Sequence, residues 1–305
     1  MSVFGKVGYP LRKPLFTGCG TALVTPFRDG AVDLDAFRAL VRRQLDARVD
    51  ALIVCATTGE APTLRPDERA ALISACVGEA ARRVPVIAGT GSNDTAHAIA
   101  LSREAEELGA DGVLVVTPYY NKATQAGLIA HYTAIADAVH LPVILYNVPS
   151  RTGVSCTAET YAALARHPNI NGVKEASGNF ALIQDTRNRC DGDFYLWSGN
   201  DEDTTALMAL GGAGVISTAA NLIPGDMREL ARLCMSGSLH KAGVLQLRMT
   251  DLLRALFCEV NPIPIKTAMA RLGLCSGELR LPLCAMQPEN RERLYAAMDA
   301  YGVKA

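Results

Sequence analysis

Short apolar runs recur along the chain, and between them apolar positions fall at helical spacing. The runs cover residues 20–25, 51–54, 84–88, 113–116, 142–145, 172–174, 194–197 and 214–217. Between the first two, Asp33-Leu34-Asp35 opens a helix with an acidic cap, and Phe37, Leu40, Val41 and Leu45 line one face of it. A second helix starts near Arg65-Pro66-Asp67-Glu68, with proline in its first turn. Uninterrupted apolar runs, rather than alternating ones, indicate strands buried on both faces, as in a parallel sheet. Their spacing of roughly 20–35 residues is that of βα units. Eight units in about 200 residues predict an α/β fold, a closed (β/α)8 TIM barrel rather than a doubly wound sheet. The repeat is architectural, with no recurring motif.

From Asp226 onward the pattern is helical only, over 227–235, 239–256, 263–272 and 289–300. The eighth unit needs one of these helices, so the others predict a C-terminal helical appendage. The expected organisation is a loose N-terminal arm over 1–16, a barrel core over 17–225, and C-terminal helices over 226–305 that include the last barrel helix. No linker separates them.

Composition narrows the function. The chain has 305 residues, 49% of them hydrophobic, enough for one large barrel or two modest domains. A formal net charge of -1 argues against nucleic acid or a membrane surface as partner. Nine cysteines, an odd number with no Cys-x-x-Cys pair, fit a reducing compartment, so a cytoplasmic location is expected. Residues 1–14 contain Lys6, Pro10, Arg12 and Lys13 and no apolar stretch, so no signal peptide is expected there. The five histidines lack metal-ligand spacing and are read as structural. Gly89-Thr90-Gly91 and Gly211-Gly212-Ala213-Gly214 complete neither a dinucleotide nor a P-loop fingerprint and are read as tight turns.

Candidate chemistry gathers where the apolar runs end. Thr57-Thr58-Gly59-Glu60 follows the second run and Thr117-Pro118-Tyr119-Tyr120-Asn121-Lys122 the fourth. Tyr146-Asn147-Val148-Pro149-Ser150-Arg151 follows the fifth, and Lys174 ends the sixth. Only 7 of the 30 basic residues are lysines, so each can be weighed singly. Lys174 is either a surface amine at a strand end or an amine that condenses with a carbonyl substrate. Taken singly, Thr-Thr-Gly-Glu reads as a turn followed by a helix cap, the tyrosine pair as packing, and Arg151 as a solvated loop charge. In a barrel, however, all these groups fall on the face where such folds keep their active sites.

These stretches, with Gly172-Val173-Lys174-Glu175-Ala176-Ser177-Gly178 and Asn261-Pro262-Ile263-Pro264-Ile265-Lys266, resemble the dihydrodipicolinate synthase family of pyruvate-dependent class I aldolases. The resemblance spans about residues 16–300. It implies that Lys174 forms a Schiff base with pyruvate and that Tyr146 shuttles protons through Thr57 to Tyr120. Tyr120 would reach a neighbouring subunit's site, making a dimer the minimal active unit and a tetramer of tight dimers the expected assembly. Thr58 would hold the pyruvate carboxylate, and Arg151 the carboxylate of L-aspartate 4-semialdehyde, a role suited to a planar guanidinium. Gly199 and Ile216 would shape the pocket floor. No cofactor and no metal are implied, because the lysine is the electron sink. An amine of ordinary pKa ~10.4 is unprotonated in only about one molecule in a thousand near pH 7.4, so such a lysine needs desolvation or cationic neighbours.

Two positions depart from the family pattern. Asn200 stands where an aspartate is usual, and Ala56 replaces the first glycine of Gly-Thr-Thr-Gly-Glu. Sugar-cleaving and hydroxy-oxoglutarate aldolases share Lys174, Tyr146 and the threonine pair, but Arg151 favours the synthase. A catalytically dead binding barrel would have lost one of these groups. Lysine-sensitive members hold lysine in an interface pocket. Here its positions are Tyr119, Asn93, Pro62, Pro66 and Arg69, with His97 where an acidic residue is expected, so lysine inhibition is expected to be weak or absent.

Overall fold

The computed structural model describes residues 12–190 and 192–304; residues 1–11 of the expected arm lie outside them. The described residues form ten strands: β1 (Gly18–Ala22), β2 (Phe27–Arg28), β3 (Ala31–Val32), β4 (Ala51–Val54), β5 (Val86–Gly89), β6 (Gly112–Val116), β7 (Val143–Asn147), β8 (Ile170–Glu175), β9 (Tyr195–Ser198) and β10 (Gly214–Ser217). Eight of them close a barrel in the order β1-β10-β9-β8-β7-β6-β5-β4, with parallel neighbours throughout. The remaining two, β2 and β3, form a small antiparallel hairpin that the periodicity did not announce.

The helices between them are α1 (Leu34–Asp46), α2 (Pro66–Ala80), α3 (Thr95–Glu107), α4 (Gln125–Asp137), the single turn α5 (Pro149–Thr152), α6 (Ala158–Leu164), α7 (Phe180–Arg189), α8 (Thr204–Ala209) and α9 (Pro224–Met235). Local chemistry sets their starts. Asp33 caps α1 by accepting from the Ala36 amide at 2.9 Å. Pro66 opens α2, and Glu68 reaches back to accept from the Arg65 amide at 2.9 Å. Gly211, at φ +88°, turns the chain toward β10 in a conformation that favours glycine.

Two apolar layers result. Phe37, Val41, Leu72 and Tyr132 belong to the shell between strands and helices. Ile53, Ile87, Ile144, Trp197 and Ile216 fill the barrel itself. Residues 12–16 are not loose. Arg12 donates to the carbonyls of Ala165 at 2.6 Å and Ile170 at 2.7 Å, and Phe16 stacks on Trp197 with ring centroids 5.2 Å apart. This segment closes the barrel floor, at the end opposite the C-terminal ends of the strands.

The first strand runs two residues earlier than its apolar pattern suggested. Past Ala22 the chain is drawn to other partners: the Val24 amide donates to Asn221 at 3.2 Å and the Thr25 hydroxyl to the Gly59 carbonyl at 2.7 Å. Beyond the barrel, α10 (Leu239–Leu256), α11 (Ile263–Arg271) and α12 (Pro288–Tyr301) share one apolar cluster with α9. Through α11 they also return the chain to the C-terminal end of β4, where Lys266 meets Glu60.

Candidate active site

Tyr146 and Lys174 occupy the same level of adjacent strands, paired in the register of β7 and β8. Side chains alternate across a strand, so both point into the barrel while Glu175 points outward. Lys174 is 4% exposed, and its Nζ lies 4.4 Å from the centroid of the Tyr146 ring. The outward neighbour is held firmly: the Glu175 carboxylate accepts from Tyr161 at 2.8 Å, from the Ser177 amide at 2.8 Å and from Asn147 at 3.1 Å. That ladder fixes the end of β8 and so the aim of Lys174. Burial raises the Glu175 pKa, with the hydroxyl, amide and Asn147 bonds opposing it.

Asp201 lies under the same end of the barrel. Its Oδ2 accepts from the amides of Thr218 at 3.1 Å and Ala219 at 2.9 Å, and its Oδ1 is buried without a partner among the described residues. Burial pushes this carboxyl up, countered by Ser217, by the two amides and by the charge of Lys174.

Thr57 and Thr58 sit on a single 3-10 turn, Thr57–Gly59, directly after β4. Thr57 is half-buried and Thr58 buried. The Thr58 hydroxyl accepts from the Asn261 side-chain amide at 3.0 Å and lies 3.2 Å from the Thr218 hydroxyl. Arg151, exposed on α5, donates to the Asn261 carbonyl at 3.2 Å. Gly199 donates its amide to the Glu175 carbonyl at 2.7 Å, and a Cβ there would lie 2.6 Å from that of Ala176. Only glycine permits this approach of the two strand ends. Ile216 is buried within the barrel near Tyr146.

A cleft of about 550 Å³ opens over this end. Thr57, Tyr146, Arg151 and Asn261 line it together with Pro62, Arg69, His97 and Tyr119. The expectation that the strand-end hydroxyls, the guanidinium and the lysine share one barrel face therefore agrees with the geometry. Tyr120 stands apart. It is 89% exposed, at φ +70°, whereas Lys174, Thr58 and Ile216, which like it do not line the cleft, are buried.

The profile of the Dihydrodipicolinate synthetase family matches residues 15–301. The chain belongs to that family. It is 50% identical over 289 residues to the 4-hydroxy-tetrahydrodipicolinate synthase of Alkaliphilus oremlandii (strain OhILAs), covering 95% of this chain and 100% of that one. The dihydrodipicolinate synthase from Thermotoga maritima superposes with a TM-score of 0.93 at 44% identity, covering 95% and 99% of the two chains. The enzyme of Cyanidioschyzon merolae, solved with lysine bound, gives 0.93 at 41% identity, covering 95% and 100%.

Within this family member, one local reading needs correction. Glu60 stands between two 3-10 turns, Thr57–Gly59 and Ala61–Thr63, but its side chain makes no cap bond to either. It takes a left-handed conformation, φ +53°, and pairs with Lys266 at 2.7 Å, while α2 starts six residues later. Asn261 and Lys266 were quoted only as parts of a motif. Their contacts to the threonine turn span 203 and 206 residues of sequence, which no local pattern announces.

Proposed function

We propose that Lys174 is the amine that captures pyruvate, and that the acceptor is L-aspartate 4-semialdehyde. The enzyme is a Schiff-base-forming lyase of lysine and diaminopimelate biosynthesis whose product is 4-hydroxy-tetrahydrodipicolinate. The observation that carries the assignment is the placement of Lys174: a buried amine at the C-terminal end of a barrel strand, against the ring of Tyr146, which itself lines an open cleft.

The Lys174 amine adds to the pyruvate ketone and water leaves, giving an iminium. That cation acidifies the methyl group, and loss of a methyl proton gives an enamine, whose carbon attacks the aldehyde of the second substrate. The semialdehyde's own amine then displaces Lys174 as the ring closes. Each step moves a proton, and Tyr146, whose ring lies against the lysine, is a group able to carry one. Thr57 and Tyr120 extend the relay. Thr58 donates to the pyruvate carboxylate. Arg151, at the cleft, meets the carboxylate of the semialdehyde. Gly199 and Ile216 form the floor by the backbone approach and packing described above. Lys174 supplies the electron sink, so this mechanism calls for no cofactor.

Tyr120 fits a role in a neighbouring subunit's site, because a tyrosine so exposed has nothing to do in its own. We assign the enzyme to a homo-oligomer, a tetramer of tight dimers, in the cytoplasm. Among the described residues no helix is long and apolar enough to cross a membrane.

Incubation with pyruvate and borohydride, followed by peptide mapping, tests the central assignment. The reduced adduct is expected on Lys174. A label on Lys122 or Lys266 overturns it.

A further inference from the structure

We propose that Asn261 is a positioning residue that fixes the hydroxyl polarity of Thr58, so that Thr58 meets the substrate carboxylate as a donor. The inference rests on the reading of Thr58 and pyruvate above.

A threonine hydroxyl has one proton and two lone pairs, and a carboxylate can only accept. Thr58 is therefore useful to pyruvate only if its proton faces the substrate. Two polar side-chain groups adjoin its oxygen. The Asn261 Nδ2, at 3.0 Å, can only donate, so it fills one lone pair. The Thr218 hydroxyl, at 3.2 Å, can donate or accept. With one lone pair filled by the amide and the other by the Thr218 proton, the Thr58 proton is left for the substrate. Without the amide, Thr58 can instead give its proton to Thr218 and present lone pairs to an anion.

Two further observations point to this use of Asn261. Its Oδ1 is buried and has no partner among the described residues. An orphaned acceptor costs stability that an apolar side chain of similar size would avoid, so the amide needs a reason to be there. The same residue's backbone carbonyl accepts from Arg151 at 3.2 Å. One residue thus touches the groups assigned to the carboxylates of both substrates.

The test is a variant cycle of Asn261→Leu and Thr218→Val, read as the pyruvate concentration that half-saturates borohydride trapping at Lys174 without semialdehyde. Asn261→Leu is expected to raise that concentration about tenfold, as for the loss of one well-placed hydrogen bond to a charged group. Thr218→Val alone is expected to stay within about threefold of the parent, because the amide still leaves the Thr58 proton free. The double variant is expected to recover to within about threefold, because neither side-chain partner of Thr58 found among the described residues then remains to take its proton in place of the substrate. A purely structural Asn261 would instead make the double variant as weak as the single or weaker, and that result overturns the inference. So does an Asn261→Leu variant that binds pyruvate as well as the parent or better, which would mean the amide is turned over with Oδ1 taking the Thr58 proton. If Asn261→Leu does not fold, Asn261→Ala enters the same cycle with the same expectations. Absence of any adduct in the parent enzyme would remove the assigned chemistry itself. A parent adduct with no recovery in the double variant removes only the role of Asn261.

Discussion

Glu60 and Lys266 form an ion pair 2.7 Å long with both side chains at most 1% exposed. The pair joins the threonine turn after β4 to α11, two segments 206 residues apart. Both groups make further bonds within the fold. Lys266 donates to the Thr25 carbonyl at 2.9 Å and lies 4.3 Å from the Phe27 ring centroid, while Glu60 accepts from the Arg280 amide at 3.1 Å. Burial pushes the Lys266 ammonium below its ordinary pKa, and Glu60 opposes that shift. The two buried lysines thus differ in kind: Lys266 is tied to Glu60 in an ion pair, and Lys174 lies against Tyr146, which lines the cleft.

Removing one partner leaves the other charge buried alone. Lys266→Met is expected to destabilise the fold by about 3–5 kcal/mol, and Glu60→Gln with Lys266→Met to recover most of that. Denaturant unfolding at a fixed protomer concentration measures both. A single variant as stable as the parent would show that the pair does not hold the turn.

Much of the barrel was legible because its signal is local. An apolar run with flanking turn residues marks a strand wherever it later pairs, and seven of the eight barrel strands lie within two residues of their runs at either end. Lys174 was legible because a charge at the end of such a run is conspicuous. The start of β1, the β2–β3 hairpin and the partners of Glu60 and Asn261 were not. Each depends on contacts between distant segments: the Val24 amide finds Asn221 across 197 residues, and neither residue's neighbours hint at the other.

Tyr120 gives a test of subunit sharing. Lys174→Ala and Tyr120→Phe homo-oligomers are each expected to lose most activity, Tyr120→Phe through its proton relay, a contribution of roughly 10²–10⁴-fold. Mixed dimers of the two differ. The Tyr120→Phe protomer keeps its lysine and would receive an intact tyrosine from its Lys174→Ala partner, so one site in two is complete. Mixing, unfolding and refolding the two inactive proteins together is expected to restore activity. No recovery in verified mixed oligomers would place Tyr120 in its own subunit's site.

His131 makes stability fall on the acid side. It is buried on α4, its Nδ1 lies 2.9 Å from the Thr95 hydroxyl, and its Nε2 has no partner among the described residues. Burial lowers its pKa to about 4, with Asp94 opposing. The unfolded chain binds a proton near pH 6.5 and the folded one only near 4, so the unfolded state holds more protons between them. The contribution is therefore intact above about pH 6.5 and is lost as pH falls toward 4; at pH 5 the loss is at most about 2 kcal/mol. Replacing His131 with Gln removes the titration. The difference in melting temperature between parent and variant is expected to shift in favour of the variant from pH 7.5 to pH 5. A difference that does not change with pH would mean His131 protonates as easily folded as unfolded.

Lysine feedback is the last question, and the cleft speaks to it through charge. Pro62, Pro66, Arg69, His97 and Tyr119 are among the residues that line the cleft. These include positions where the family resemblance puts the inhibitor pocket. A bound lysine brings an ε-ammonium that, once desolvated, needs an anionic or acceptor partner. Glu60 is the one carboxylate among the lining residues, and it is already held by Lys266 and by the Arg280 amide. His97 has no negative charge, and when protonated it repels an ammonium. Arg69 is buried nearby and donates to the Gly89 carbonyl at 2.9 Å, with its Nε unpartnered among the described residues, which adds positive charge to the same wall. The two prolines offer no backbone donor to the lysine carboxylate. Weak or absent inhibition is therefore expected when L-lysine is titrated at saturating pyruvate, and clear inhibition at submillimolar lysine would contradict it. His97→Glu restores a carboxylate at the one missing position. It is expected to strengthen lysine inhibition by about tenfold or more, as for a new charge-assisted hydrogen bond. If the variant responds to lysine no better than the parent, the missing charge is not what sets the response.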